Sequence, residues 1–367
     1  MLVSDLLNKI IAVLEVQSSR RYWVLIILTL MAVVLINGVA LYSDAHYQKL
    51  AQDPFVRRDD VESTYQETLL LPMLANVLGL SEKKPFFVLC LIFIFTGIIT
   101  FSWLARKKFE PLSALLMSVL LIANPIATIL LSWVGSADGL TFLLTIPILF
   151  VQSGWVLMGL MIFGVTNHIL VLIAGLEVIM LRLFSEDDIK PMHVAFSIFG
   201  GLIGYGLVQF FLFTNGIVAA PRLEQNLTRA IPELIKSNFT LLPYILYSFF
   251  GFQWLLLPVM VIMFLKRNWR YFGLLLLLLL LNYFIAFLTV DTTRIFVLLS
   301  WGLFFHGLMT SLTLTKQEKI TEWRRQFLFS LLAIGVVSIL SPRFFVWSNM
   351  IEISPFYPFL RLLFMGR

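Results

Sequence analysis

The stretch YWVLIILTLMAVVLINGVAL at residues 22–41 decides the fold class. It has the roughly 20 apolar residues that a helix needs to cross a bilayer, and no charged residue interrupts it. It lies too deep in the chain and runs too long for a cleaved signal peptide, and no small-residue cleavage site follows. Upstream, residues 2–16 carry apolar side chains at helical spacing, with Lys9, Arg20 and Arg21 around them. This reads as an interfacial helix on the cytoplasmic side, within residues 1–21.

Downstream, apolar runs recur at 86–104, 112–131, 140–151, 156–184, 194–213, 241–265, 271–290, 295–314 and 327–347. Composition agrees with them. Of 367 residues, 59% are hydrophobic and 13% charged, against roughly 45–50% and about 25% in soluble domains. The mean hydropathy is +0.92. A single water-soluble core and a disordered chain are excluded. So is a disulfide scaffold, because the one cysteine, Cys90, sits inside an apolar run. The net charge of +6 fits lysine and arginine kept on cytoplasmic loops rather than a nucleic-acid partner.

The basic clusters fix the expected orientation. Arg106–Lys108, Lys266 with Arg267 and Arg270, and Lys316 with Lys319, Arg324 and Arg325 all face the cytoplasm only if run 156–184 crosses twice. Thr166, Asn167 and His168 lie in the middle of that run and make the tip of two short helices; non-helical backbone at membrane depth is tolerated where protein lines it. The expected fold is therefore all-α, a polytopic integral membrane protein with one transmembrane domain over residues 1–367 and about eleven spans. Its N-terminus is cytoplasmic and its C-terminus outside. The polar segments expected outside are a first loop at 42–84, then 133–139, 214–240 and 291–294.

The first outer loop is the most informative. Residues 42–68 hold six acids (Asp44, Asp53, Asp59, Asp60, Glu62, Glu67) and three bases (Lys49, Arg57, Arg58). Asp59 and Glu62 have capping-box spacing, and the apolar segment 69–80 is about half a span, which fits an interfacial or re-entrant helix. Asp44 stands where the first span meets water. Either it marks the membrane boundary, or it is a carboxylate held by a rigid helix and reachable from outside. Asp291 and Arg294 are three apart in a short outer turn and can pair on one helix face; Arg294 also suits a lipid phosphate. Asp138 is either an N-cap or a second functional acid. Asn167 and His168 either contact a phosphate or an acid, or satisfy a broken helix. His46, His193 and His306 lack ligand spacing. Arg222, Arg229 and Lys236 recur every seventh residue, and Asn226 and Asn238 begin glycosylation sequons. No nucleotide-binding, HExxH or CxxC motif is present.

In their order along the chain these features resemble the GT-C superfamily of polytopic glycosyltransferases. Bacterial members carry Asp-x-x-Tyr-Tyr near the first span, then Asp-Pro-Phe, a Tyr and Leu-x-Pro-x-Leu. Here Asp44-Ala45-His46-Tyr47, Asp53-Pro54-Phe55, Tyr65 and Leu70-Leu71-Pro72-Met73-Leu74 stand at those places. Gly135-Ser136-Ala137-Asp138 is similar to the Gly-x-x-Asp of the second outer loop, and Asp291-Thr292-Thr293-Arg294 to a late Asp-x-Thr-Arg turn. Departures are Ala45, where many members have a second acid, and Gln66 and Glu67, where arginines are common.

The resemblance implies transfer of a sugar from a polyprenyl-phosphate donor to a lipid-linked or polysaccharide acceptor on the outer face of a bacterial plasma membrane. Asp44 would be the base and Asp138 a supporting acid. Arg57, Arg58 and Arg294 would meet the donor phosphate, with His46, Tyr47, Asn167, His168 and Asp291 in the substrate site. No cofactor is required; a divalent metal on Asp44 and Asp138 is compatible with this scheme. From other classes, a lipid or solute transporter would show internal repeats and broken helices, of which one broken helix and no repeat is found. A membrane acyltransferase would pair a histidine with an acid within or beside the early spans, where only the nearness of His46 to Asp44 in the sequence speaks for it.

Overall fold

The computed structural model describes residues 18–41, 46–57, 61, 65–185, 189–217, 231–265, 268–317, 321–347 and 350–353. About four in five of them are helical. Six helices are long and apolar enough to cross a bilayer: Ser19–Asn37, Lys83–Lys108, Pro191–Thr214, Leu242–Phe264, Trp269–Phe287 and Thr292–Thr315. Pro111–Ile122 and Pro125–Ser132, bent by 46°, make a seventh if joined. The chain is thus a multi-pass membrane protein. The expected count was higher, about eleven on the charge bias. Runs 140–151 and 156–184 form shorter helices instead: Asp138–Leu149, Gly154–Asn167 and Leu170–Leu183. Run 327–347 is also divided. Helix Thr321–Leu340 takes its first part, and strand Phe344–Trp347 pairs antiparallel with Met350–Ile353.

Each break has a local cause. Pro125 has no N–H to offer Leu121, and the residue before a proline avoids helical backbone. Asn124 therefore caps the next helix, its Oδ1 accepting from the Ile126 N–H at 3.0 Å. Gln253 braces the bend, accepting from Asn124 Nδ2 at 2.7 Å and donating to the Leu120 carbonyl at 2.8 Å. The second break falls inside run 156–184, where the polar triplet led us to expect it: Gly154–Asn167 ends and Leu170–Leu183 begins. No proline is involved. Polar side chains take over instead, with His168 Nδ1 accepting from the Leu170 N–H at 3.2 Å.

Helix Thr292–Thr315 is the axis of the bundle. Its most apolar window is 89% buried, against 17% for Ser19–Asn37 at the periphery. Phe296, Trp301, Phe304 and Phe305 anchor it, and Phe296 stacks on Phe249 at 3.8 Å. Helix Gly154–Asn167 lies along Pro191–Thr214 through glycines. A Cβ on Gly204 would fall 2.8 Å from the Ile162 carbonyl oxygen, so only a glycine lets these backbones approach so closely.

The half-span segment 69–80 holds helix Leu70–Val77. Its start is tied to the break in the 156–184 run, the Leu69 N–H meeting the Thr166 carbonyl at 2.9 Å. Residues 1–17, including the expected interfacial helix, lie outside the described residues, as do Asp59, Glu62, Arg222, Asn226 and Arg229.

Candidate functional site

The axial helix begins beside an acid from a distant part of the chain. Arg294, in its first turn, donates from Nε to Asp138 Oδ2 at 2.7 Å and from Nη2 to Asp138 Oδ1 at 2.9 Å. Its Nη1 reaches Asp291 Oδ2 at 2.8 Å. The pairing of Asp291 with Arg294 three residues apart is the one their spacing suggested. Asp138 opens the helix Asp138–Thr145, but its carboxylate does not cap that helix; it forms a two-pronged ion pair. The Asp138 side chain is fully buried and that of Arg294 is 14% exposed.

Aromatic rings enclose this cluster. The Trp133 ring centroid lies 5.1 Å from the Arg294 guanidinium carbon. Trp133 in turn meets Phe345 and Trp347 of the hairpin edge-on, at 5.6 and 6.1 Å. The Val346 N–H donates to Thr293 Oγ1 at 2.9 Å, which fixes the hairpin against the residue next to Arg294. Tyr47 is near enough to act on the Arg294 charge, and His168 on Asp138. Tyr65 ties the early loop in, stacking on His46 at 4.3 Å and meeting Tyr47 edge-on at 5.4 Å.

Asn167 is a clamp at the centre of this end of the bundle. Its Nδ2 donates to the Ala137 carbonyl at 3.0 Å and to Thr141 Oγ1 at 2.9 Å, and its Oδ1 accepts from the Leu71 N–H at 3.2 Å. With its amide thus used by three neighbours, Asn167 satisfies the broken helix and locks Leu70–Val77 onto Asp138–Thr145.

The two acids differ in charge state. Burial alone would raise the Asp138 carboxyl, but the charge and hydrogen bonds of Arg294, with His168 and Ser136, outweigh it and hold Asp138 below the usual carboxylate range. Burial raises Asp291 as well. There Arg294 compensates only partly, while Asp138 and Glu352 add repulsion, and the group ends at about 6. Asp291 Oδ1 is buried and accepts no hydrogen bond. The cluster therefore pairs an acid held toward its ionised form with one whose carboxyl is raised to about 6.

The other expected residues are placed as follows. Arg57 donates from Nη1 to the Gly216 carbonyl at 3.4 Å, just beyond the end of Pro191–Thr214. Asp44 and Arg58 lie outside the described residues. Arg294 was expected at a lipid phosphate; three of its N–H donors already go to carboxylates. Among the described residues no group of three or more His, Cys, Asp and Glu side chains is placed to hold a metal ion. Both Asp138 oxygens accept from Arg294. Asn238 of the second sequon is buried, and its Nδ2 donates to the Phe287 carbonyl at 2.7 Å.

Three charged residues escaped the sequence reading. Glu177 is buried and accepts from Asn282 Nδ2 at 2.8 Å, between helices Leu170–Leu183 and Trp269–Phe287. Its signal was an acid inside an apolar run. Arg182 donates to the Ile148 and Val151 carbonyls at 2.6 and 2.7 Å, closing the end of a neighbouring helix. Arg343 is buried behind the hairpin. Compared with family models, with curated proteins and with solved structures, the chain gives no match.

Proposed function

We propose that this chain is a membrane glycosyltransferase that moves a sugar from a polyprenyl-phosphate donor to a lipid-linked or polysaccharide acceptor on the outer face, with inversion. One observation supports this reading most. The described residues on both sides of Asp44 adjoin the Asp138–Arg294–Asp291 cluster: Leu41 bridges to Val134, next to Trp133, and Tyr47 neighbours Arg294. Asp138 and the Asp291–Arg294 pair, far apart in sequence, thereby share one end of the bundle with Tyr47. In a chain that is nearly all membrane, an activated sugar carried by lipid is the donor that this end can meet.

In the proposed step the Asp44 carboxylate takes the acceptor hydroxyl proton while the oxygen attacks the anomeric carbon. The bond from that carbon to the phosphate oxygen breaks, and polyprenyl phosphate leaves as an anion. Positive charge stabilises the departing phosphate, and Arg294 has N–H donors beyond those that it gives to Asp138 and Asp291. Asp138 keeps Arg294 aimed. The membrane arrangement belongs to the same proposal: about eleven crossings, counting the shorter helices, with the N-terminus cytoplasmic in a bacterial plasma membrane.

The test is release of polyprenyl phosphate from a panel of polyprenyl-phosphate sugars by purified protein. Asp44→Asn is expected to slow turnover roughly 10²–10⁴-fold with little change in yield. Full turnover by that variant would remove the mechanism. A second reading, a transporter, is favoured by the Glu177–Asn282 pair inside the membrane helices. It predicts that Glu177→Gln abolishes uptake into vesicles, whereas the transferase reading leaves polyprenyl phosphate release by that variant intact.

A further inference from the structure

Behind the hairpin, and separate from the acid cluster, lies a small pocket of about 30 Å³, part of it open to its surroundings. Its walls come from the bend at Ala123 and Pro125, from Tyr247 and Phe252, and from Ser338 and Arg343. Arg343 is 7% exposed. It donates from Nη1 to Thr128 Oγ1 at 3.0 Å, and from Nη2 to the Ala123 and Ser338 carbonyls at 3.3 and 3.2 Å. Every one of these partners is neutral. They aim the guanidinium but leave its charge unmatched, and among the described residues no carboxylate pairs with it. Arg343 Nε is buried without a partner, and so is Ser338 Oγ in the same wall.

A buried charge without a counter-ion is costly and is normally paired. Arg343 cannot escape by losing its proton. Burial pulls its pKa down to about 10, with Tyr247 opposing, and that leaves it charged at neutral pH. What the cavity lacks is an anion with several acceptor oxygens. We propose that this cavity binds a phosphate group, held by Arg343 Nε–H and the Ser338 hydroxyl. Phosphate suits the guanidinium plane and can accept from both orphan donors at once. The rim favours a phosphate carried by an amphiphile: Tyr247 stacks on Phe344 at 5.0 Å, and Phe252 in the same wall is exposed and apolar. The site does not depend on the transferase reading, although Ser248 in its wall shares a hydrogen bond of 2.7 Å with Thr293, the residue before Arg294.

The test uses the full chain in dodecyl maltoside micelles and measures binding and thermal unfolding with three probes: inorganic phosphate, dioctanoyl phosphatidic acid and dioctanoylglycerol. Phosphatidic acid is expected to bind and to raise the unfolding temperature, and Arg343→Gln to weaken it roughly tenfold to hundredfold. Ser338→Asp supplies an internal counter-ion. It is expected to raise the unfolding temperature without ligand and to abolish the response to phosphate. Binding of inorganic phosphate as well supports a site for the phosphate alone; binding of phosphatidic acid only supports a lipid headgroup site. Three outcomes overturn the proposal: neither phosphate probe binds the wild type, Arg343→Gln keeps the wild-type affinity, or dioctanoylglycerol binds as well as phosphatidic acid. The wild-type and Ser338→Asp measurements decide the matter even if Arg343→Gln fails to fold.

Discussion

Gly204 lies against Ile162 so closely that a methyl group on it would sit 2.8 Å from the Ile162 carbonyl oxygen, and Gly200, one turn earlier, meets Met158 more tightly still. Between membrane helices, where lipid is as apolar as leucine, close backbone packing of this kind drives association. Gly200→Leu is therefore expected to destabilise the protein by about 1–3 kcal/mol through overpacking. Gly206→Leu, on the same helix with open space around it, is the control and is expected to be neutral. Thermal unfolding in detergent measures both; equal effects would show that the glycine contact does not hold this pair.

Asp138 and Arg294 form one unit. Asp138→Asn leaves the guanidinium with one carboxylate, and breaking a buried pair costs about 3–5 kcal/mol. Arg294→Lys is expected to restore little, because an ammonium cannot make the two-pronged contact. The double variant Asp138→Asn with Arg294→Gln is expected to be less damaged than the sum of the singles. A strictly additive cycle would mean that the two groups do not interact in solution.

Asp291 makes a pH-dependent contribution whose sign follows from its raised pKa. A carboxyl at about 6 in the folded protein, and near 3.9 unfolded, holds its proton better when folded. Its contribution to stability is present below the unfolded value and is lost as the pH rises toward 6. Asp291→Asn does not titrate there. Its stability relative to wild type is expected to climb between about pH 4 and pH 6, by up to about 3 kcal/mol, and then level off. Denaturant titrations at stepped pH measure this, and a flat difference would place Asp291 with ordinary carboxylates.

Orientation is open to cysteine labelling, since the native Cys90 is buried. Lys107→Cys is expected to react with a membrane-impermeant maleimide only after the cells are opened, and Thr240→Cys in intact cells. The reverse pattern would invert the bundle and, with it, the outer-face chemistry.

The helical, membrane-spanning class was legible from residues 22–41 alone, because a run of apolar residues has few other uses. The break at Asn167 was legible too, since a polar triplet inside an apolar run demands partners. So was the link from Asp291 to Arg294, a matter of helical spacing. The bond from Arg294 to Asp138 was not, because no local pattern connects residues 156 positions apart. Gln253 bracing the bend at Asn124 was hidden for the same reason. The Gly200 and Gly204 spacing stood in the sequence, but its meaning depends on which helix lies opposite. Arg343 looked like an ordinary basic residue near the chain's end, and only its burial behind the hairpin singles it out.

The distance between Asp138 and Arg294 along the chain also imposes an order on biosynthesis. At about 5–20 residues per second, a ribosome that has made Asp138 needs roughly 8–30 s more to add the 156 residues that deliver its counter-charge. During that interval the acid must stay protonated or hydrated at the translocon, and the helix Asp138–Thr145 cannot settle at its final depth. Arg294 thus acts on the Asp138 helix as a late keystone, since until it is made the carboxylate has no counter-charge.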